Sequence, residues 1–161
     1  MKTFIALTLS IALTGCFSVD SSESKPIAEI PKSIPGIAAF DVYGSFEQQG
    51  FSIDKKFNGK NCSFTCNQVL GDKVYTVDVF GPEPEAIDKV KATVIFKKAD
   101  QEAVSFLGQA ASLAYQGSVP SAASYWTAGH FKNGGDTTIG NVRFVLTAES
   151  ATARVLALYP Q

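Results

Sequence analysis

The element order in this sequence predicts an α+β domain, an antiparallel β-sheet with about three helices packed on one face. Three observations carry that prediction. Apolar residues recur at helical spacing near residues 36–49 and 100–115, and start and stop signals bound a further helix over residues 118–132. Other runs alternate apolar and polar residues in the strand period, over residues 51–57 and 142–147, and residues 74–80 are strongly β-prone. Finally, strands and helices come in separate runs, and no internal repeat marks a solenoid or propeller.

Over residues 36–49, Ile37, Phe40, Tyr43 and Phe46 recur every three positions, with Asp41, Glu47 and Gln48 elsewhere, so a helix face docked on a sheet is expected. Gly50 supplies its stop. Phe51, Ile53, Lys55 and Phe57 then form a first strand, ending at the Asn58-Gly59 turn signal. Gly71-Asp72 reads as a two-residue hairpin turn between Val69-Leu70 and the strongly β-prone residues 74–80. Neither proline of Gly81-Pro82-Glu83-Pro84-Glu85 suits a central strand, so this segment is a loop, and residues 92–96 resume as a strand. Asp100 caps a helix running to about Tyr115, with Val104, Leu107, Ala111 and Ala114 on one side. Gly117 stops it, and Ser118 and Pro120 open another helix to about Lys132, closed by Asn133-Gly134-Gly135. Residues 137–147 and 152–159 give two last β-rich runs, in which Val142, Phe144 and Leu146 point to one buried face.

The N-terminus carries a different kind of signal. Lys2 precedes an apolar core from Phe4 to Leu13, about half the roughly 20 residues that a membrane-spanning helix needs. The core closes on Leu13-Thr14-Gly15-Cys16, with leucine three places before cysteine and a small residue directly before it. This pattern resembles the lipobox of bacterial lipoproteins. The resemblance covers the first sixteen residues only and implies cleavage after Gly15, with Cys16 lipidated as the new N-terminus. Two or three acyl chains on one residue hold a protein stably on a membrane, whereas a single chain binds only marginally. Phe17 stands where aspartate would signal inner-membrane retention, so the expected address is the outer membrane, facing the periplasm. Residues 1–15 are thus an expected signal peptide and residues 16–35 a lipidated, proline- and serine-rich tether. Its extended length is at most about 60 Å and its coil average nearer 25 Å. Residues 36–161 form the single domain.

An exported chain meets an oxidising compartment, which favours a disulfide between Cys62 and Cys66. That bond needs a compact loop, for which Asn58-Gly59-Lys60-Asn61 and Asn67-Gln68 offer turn chemistry. A straight strand would instead separate the two Cα atoms by about 13 Å and leave two free thiols acting as small hydrophobes.

The composition excludes several classes of function. Without residues 1–15, the remaining 146 residues carry 13 basic and 15 acidic side chains, a net charge of −2, which lacks the basic footprint of nucleic-acid binding. A single histidine, His130, leaves a zinc site short of ligands and offers only one imidazole base for a nucleophile. No Gly-x-Ser-x-Gly elbow or phosphate-cradling glycine loop occurs, so no cofactor or metal is expected. Glu83, Glu85, Asp88, Asp54 and Asp78 are the carboxylates worth weighing for glycoside hydrolysis, and each reads as a solvated charge. The densest unusual cluster is Tyr125, Trp126, His130 and Phe131, with Trp126 and His130 one helical turn apart. It is the expected binding patch, against the plainer reading that Trp126 docks its helix on the core. The functional expectation is a non-enzymatic, membrane-anchored lipoprotein that binds an envelope protein. An inhibitor, immunity or exclusion lipoprotein that blocks a hydrolase, toxin or phage is the alternative.

Overall fold

In a computed structural model, the structure describes residues 32–57 and 61–161. Cys16, most of the expected tether and the Asn58-Gly59 turn lie outside the described residues. In chain order the elements are α1 (Ala39–Glu47), β1 (Ser52–Phe57), β2 (Cys62–Leu70), β3 (Lys73–Gly81), β4 (Lys89–Ile95), α2 (Gln101–Ala111), α3 (Pro120–His130), β5 (Gly135–Ile139), β6 (Val142–Ser150) and β7 (Ala153–Pro160). The strands form one seven-stranded sheet in the order β1-β2-β3-β4-β7-β6-β5. Every pairing is antiparallel. Two meanders, β1–β4 and β5–β7, are joined through α2 and α3 so that the last strand closes against β4.

Register places one apolar row across the sheet: Ile53, Cys66, Val77, Ala92, Leu156 and Leu146 stand opposite one another in turn. All but the half-buried Ile53 are buried. The same face receives all three helices, through Tyr43 on Phe64, Phe106 on Tyr75, and Trp126 on Phe144. Phe46, fully buried beneath α1, contributes on the order of 2–3 kcal/mol through its burial. The opposite face carries Thr65, Asp78, Lys91 and Thr93, giving the inward/outward alternation of a half-covered antiparallel sheet.

Several local signals act as the sequence predicts. Asp100 accepts a hydrogen bond from the Ala103 amide at 3.1 Å and so starts α2, and Pro120 occupies the first turn of α3. Gly71 takes φ +61° in the hairpin turn, and Gly134 takes φ +76° after α3, where its amide donates to the His130 carbonyl.

Other segments differ from expectation. α1 begins at Ala39, so Ile37 is buried ahead of the helix and the docked arc is Ala39, Val42 and Phe46. Phe40 is 65% exposed and lies beside Gly44, because a three-residue repeat drifts around a helix of 3.6 residues per turn. α2 ends at Ala111, well before Tyr115, where the Ser112 hydroxyl donates to the Gly108 carbonyl. Residues 137–147 are two strands rather than one, divided by a turn at Gly140-Asn141.

Candidate functional site

The expected binding patch does not assemble as one surface. Trp126 and His130 do meet on α3, with ring centroids 4.9 Å apart and planes at 25°. His130 Nδ1 lies 2.8 Å from the Trp126 carbonyl oxygen. A carbonyl can only accept, so Nδ1 carries the proton in this contact and Nε2 is left as the free ring nitrogen. The other edge of Trp126 packs on Phe144, which makes the indole half core and half surface. Phe131 turns inward, buried and stacked on Phe96, while Tyr125 is 80% exposed. Trp126 therefore docks its helix, and of the four side chains only Trp126 and His130 come together.

Behind Phe131 lies a residue that sequence reasoning missed. Arg154, 8% exposed on β7, occupies an inward position opposite Val94. Its guanidinium donates to the backbone carbonyls of Phe131 at 2.5 Å, Ser150 at 2.6 Å and Ala153 at 2.8 Å, and more weakly to that of Lys132. The mutually stacked Phe96 and Phe131 rings both lie beside it, at 5.7 and 5.4 Å. A cation at the C-terminal end of α3 meets carbonyls that the helix leaves unpaired. The only sequence signal was an arginine at an apolar beat of a strand.

The expected Cys62–Cys66 disulfide is corrected. Residues 62–66 are part of continuous β2, and both thiols are free and buried. Four residues of strand hold their Cα atoms about 13 Å apart, beyond the roughly 7 Å limit for bridging. Burial pushes the Cys66 thiol up to about 12, with Asp78 and Glu47 adding smaller like-signed effects. Burial also raises Cys62, whose Sγ donates to the Gly81 carbonyl at 3.4 Å.

The carboxylates are dispersed. Glu83 and Glu85 are exposed in the β3–β4 turn, Asp54 pairs with Lys56 at 3.2 Å, and Asp78 accepts from Thr65 at 2.9 Å. Among the described residues no group of three His, Cys, Asp or Glu side chains is placed to hold a metal. No helix among them is long and apolar enough to cross a membrane.

A cleft of about 390 Å³ opens where the end of α1, the β2–β3 hairpin and α2 meet. Its floor is Phe51, Tyr75 and Phe106, with Phe51 and Phe106 stacked at 6.0 Å and Tyr75 at 4.8 Å from Phe106. Four glutamines, Gln49, Gln68, Gln101 and Gln109, stand around it. Gln68 Nε2 donates to the Gln49 carbonyl at 3.1 Å and ties two sides of the rim. Glu102 is the charged member of the lining, and Lys73 holds it at 2.8 Å while also pairing with Asp100 at 2.7 Å. Those two acceptors raise the Lys73 ammonium, and the same contact with Lys73 is the main reason Asp100 is lowered.

Fold and site together define an α+β domain with a Trp126–His130 pair on α3 and a polar-rimmed, aromatic-floored cleft. In comparisons with known proteins, the chain matches no family model, no curated protein and no solved structure.

Proposed function

We propose that this chain is a bacterial envelope lipoprotein, anchored through lipid on Cys16, whose α+β domain serves as a non-enzymatic binding or accessory module in the periplasm. The observation that carries the reading is Leu13-Thr14-Gly15-Cys16 closing a short apolar core behind Lys2. The proline- and serine-rich stretch that follows suits a domain working a short distance from an outer-membrane surface. The non-enzymatic part rests on the lone histidine, engaged with the Trp126 carbonyl rather than with a nucleophile, and on carboxylates engaged with other side chains, Asp54 with Lys56, Asp78 with Thr65, and Asp100 and Glu102 with Lys73. Mass spectrometry of the mature N-terminus tests the anchor: acylated Cys16 as first residue is the expected result. An unmodified terminus at another residue overturns the reading. Crosslinking in intact envelopes tests the binding role, with one recurrent partner expected. Absence of any specific partner together with turnover of a substrate would overturn it.

A further inference from the structure

We propose that the cleft between α1, α2 and the β2–β3 hairpin is a binding site for a neutral saccharide. The inference rests on reading the domain as a binding module and adds where it binds and what. The cleft is about 390 Å³, within the range of small-molecule pockets of about 300–1,000 Å³. Its floor and rim differ in chemistry. Phe51, Tyr75 and Phe106 are buried, 7%, 4% and 7% exposed, and leave a narrow strip of apolar ring surface for the C–H face of a sugar. Above them the glutamine amides each present an N–H₂ donor and a carbonyl acceptor, a match for hydroxyls, which also donate and accept. Gln49, Gln101 and Gln109 are exposed, so their amides reach a ligand without first being uncovered.

Charge and topology narrow the occupant. The lining holds no cation, and Lys73 shared between Asp100 and Glu102 leaves a net negative charge at the rim, which disfavours an anionic ligand. An extended peptide would need an open strand edge to pair with. The strands lining the cleft offer little of one, because β3 is paired on both sides by β2 and β4, and β2 is paired on both sides as far as Asn67, which leaves only residues 68–70 beyond β1, too short an edge for a strand to pair along. An uncharged ligand with a dense array of hydroxyls and one apolar face fits what is left.

The test uses the full lipidated chain, ¹⁵N-labelled in detergent micelles and titrated with N,N′-diacetylchitobiose. Saturable shifts are expected in the side-chain amide signals of Gln68, Gln101 and Gln109, with those of the exposed Gln116 and Gln161, outside the cleft, unmoved. Gln101→Ala and Gln109→Ala alter exposed positions of α2 to a good helix former, and each is expected to weaken binding about two- to tenfold. No saturable shift in the wild-type chain overturns the proposal. So does an affinity unchanged in the double variant, or a neutral Ser-Asn-Gln-Gly peptide that moves the same signals at lower concentration. Acylated Cys16 in a chain silent toward the sugar removes the saccharide site and leaves the envelope reading standing. Sugar binding by a chain with another N-terminus does the reverse.

Discussion

Replacing Arg154 by Met tests whether the buried guanidinium clasps the end of α3 to the β6–β7 hairpin. Arg154 is 8% exposed, so solvent screening discounts its interactions little. Methionine keeps the length and part of the apolar contact with Phe96 and Phe131, but it donates nothing to the carbonyls of Phe131, Ser150 and Ala153. Hydrogen bonds to a charged group contribute roughly 1.5–3 kcal/mol each, and carbonyls near the surface regain water when released, so a net loss of about 3–4 kcal/mol is expected. With a urea dependence of about 2 kcal/mol/M, the midpoint falls by roughly 1.5–2 M. Fluorescence of Trp126, the single tryptophan, reports unfolding from α3 itself. Arg154→Lys is expected to recover at most half of the loss, since an ammonium cannot reproduce the planar fork that spans these carbonyls. A midpoint shift below about 0.5 M for Arg154→Met, or full recovery by lysine, refutes the clasp.

Alkylation without reductant is expected to leave Cys62 and Cys66 unmodified in the native protein and to add two labels on unfolding in denaturant, because both thiols are free and buried. No labelling of the unfolded, unreduced chain would restore the disulfide. Raising the pH should destabilise the fold through Cys66: its raised folded value means the contribution is complete below the unfolded value of 9.0 and is lost as pH climbs toward about 12. Cys66→Ala should flatten that limb in chemical denaturation. On the acid side, Lys73 lowers Asp100 and Arg143 lowers Asp136, so their contribution is present above the ordinary carboxylate value of 3.8 and is lost as pH falls below it. Asp100→Asn with Asp136→Asn should flatten the acid limb, and an unaltered limb counts against both pairs. Tyr125→Ala is expected to change stability by less than about 0.5 kcal/mol, whereas Trp126→Ala costs about 2 kcal/mol, both read by urea denaturation followed by circular dichroism.

Features decided by local chemistry were legible in the sequence. Gly71-Asp72 turns the chain wherever its flanks are extended, and Asp100 caps α2 with its own carboxylate. Misreadings arose where one local signal outweighed another of equal strength. Cys62, Phe64 and Cys66 alternate with Ser63 and Thr65 in the strand period, yet the flanking asparagines and the pull of a disulfide suggested a loop. Gly140-Asn141 is itself turn chemistry, hidden inside a continuous β-rich run. For the site, helical spacing correctly brought Trp126 to His130, but density in sequence carries no direction, and Phe131 turns into the core one residue later. The cleft was out of reach for a different reason. Gln49, Gln68, Gln101 and Gln109 come from three separated parts of the chain, and glutamine belongs to no spacing motif that would single them out.

Where the chain enters the domain bears on how the cleft is presented. The Ile34 amide donates to the Ile87 carbonyl and the Gln116 amide to the Pro35 carbonyl, which fixes the entry beside the β3–β4 turn. The cleft borders the β2–β3 turn at the other end of β3, and β3 spans nine residues. α1 bridges the two, from the Ala39 amide bonded to the Pro84 carbonyl to Gln49 at the cleft, and at about 1.5 Å per residue it sets them roughly 15 Å apart. A domain anchored through Cys16 would then carry its cleft on the side remote from the bilayer. Deleting residues 20–30 tests this on vesicles bearing the lipidated chain. The shortened chain draws the entry end toward the surface, yet its affinity for N,N′-diacetylchitobiose should stay within about twofold of the full chain, because the binding end remains outward. A tenfold loss on vesicles that disappears in micelles would mean that the bilayer occludes the cleft, and the polarity argued from Ile34 and Pro35 would be wrong.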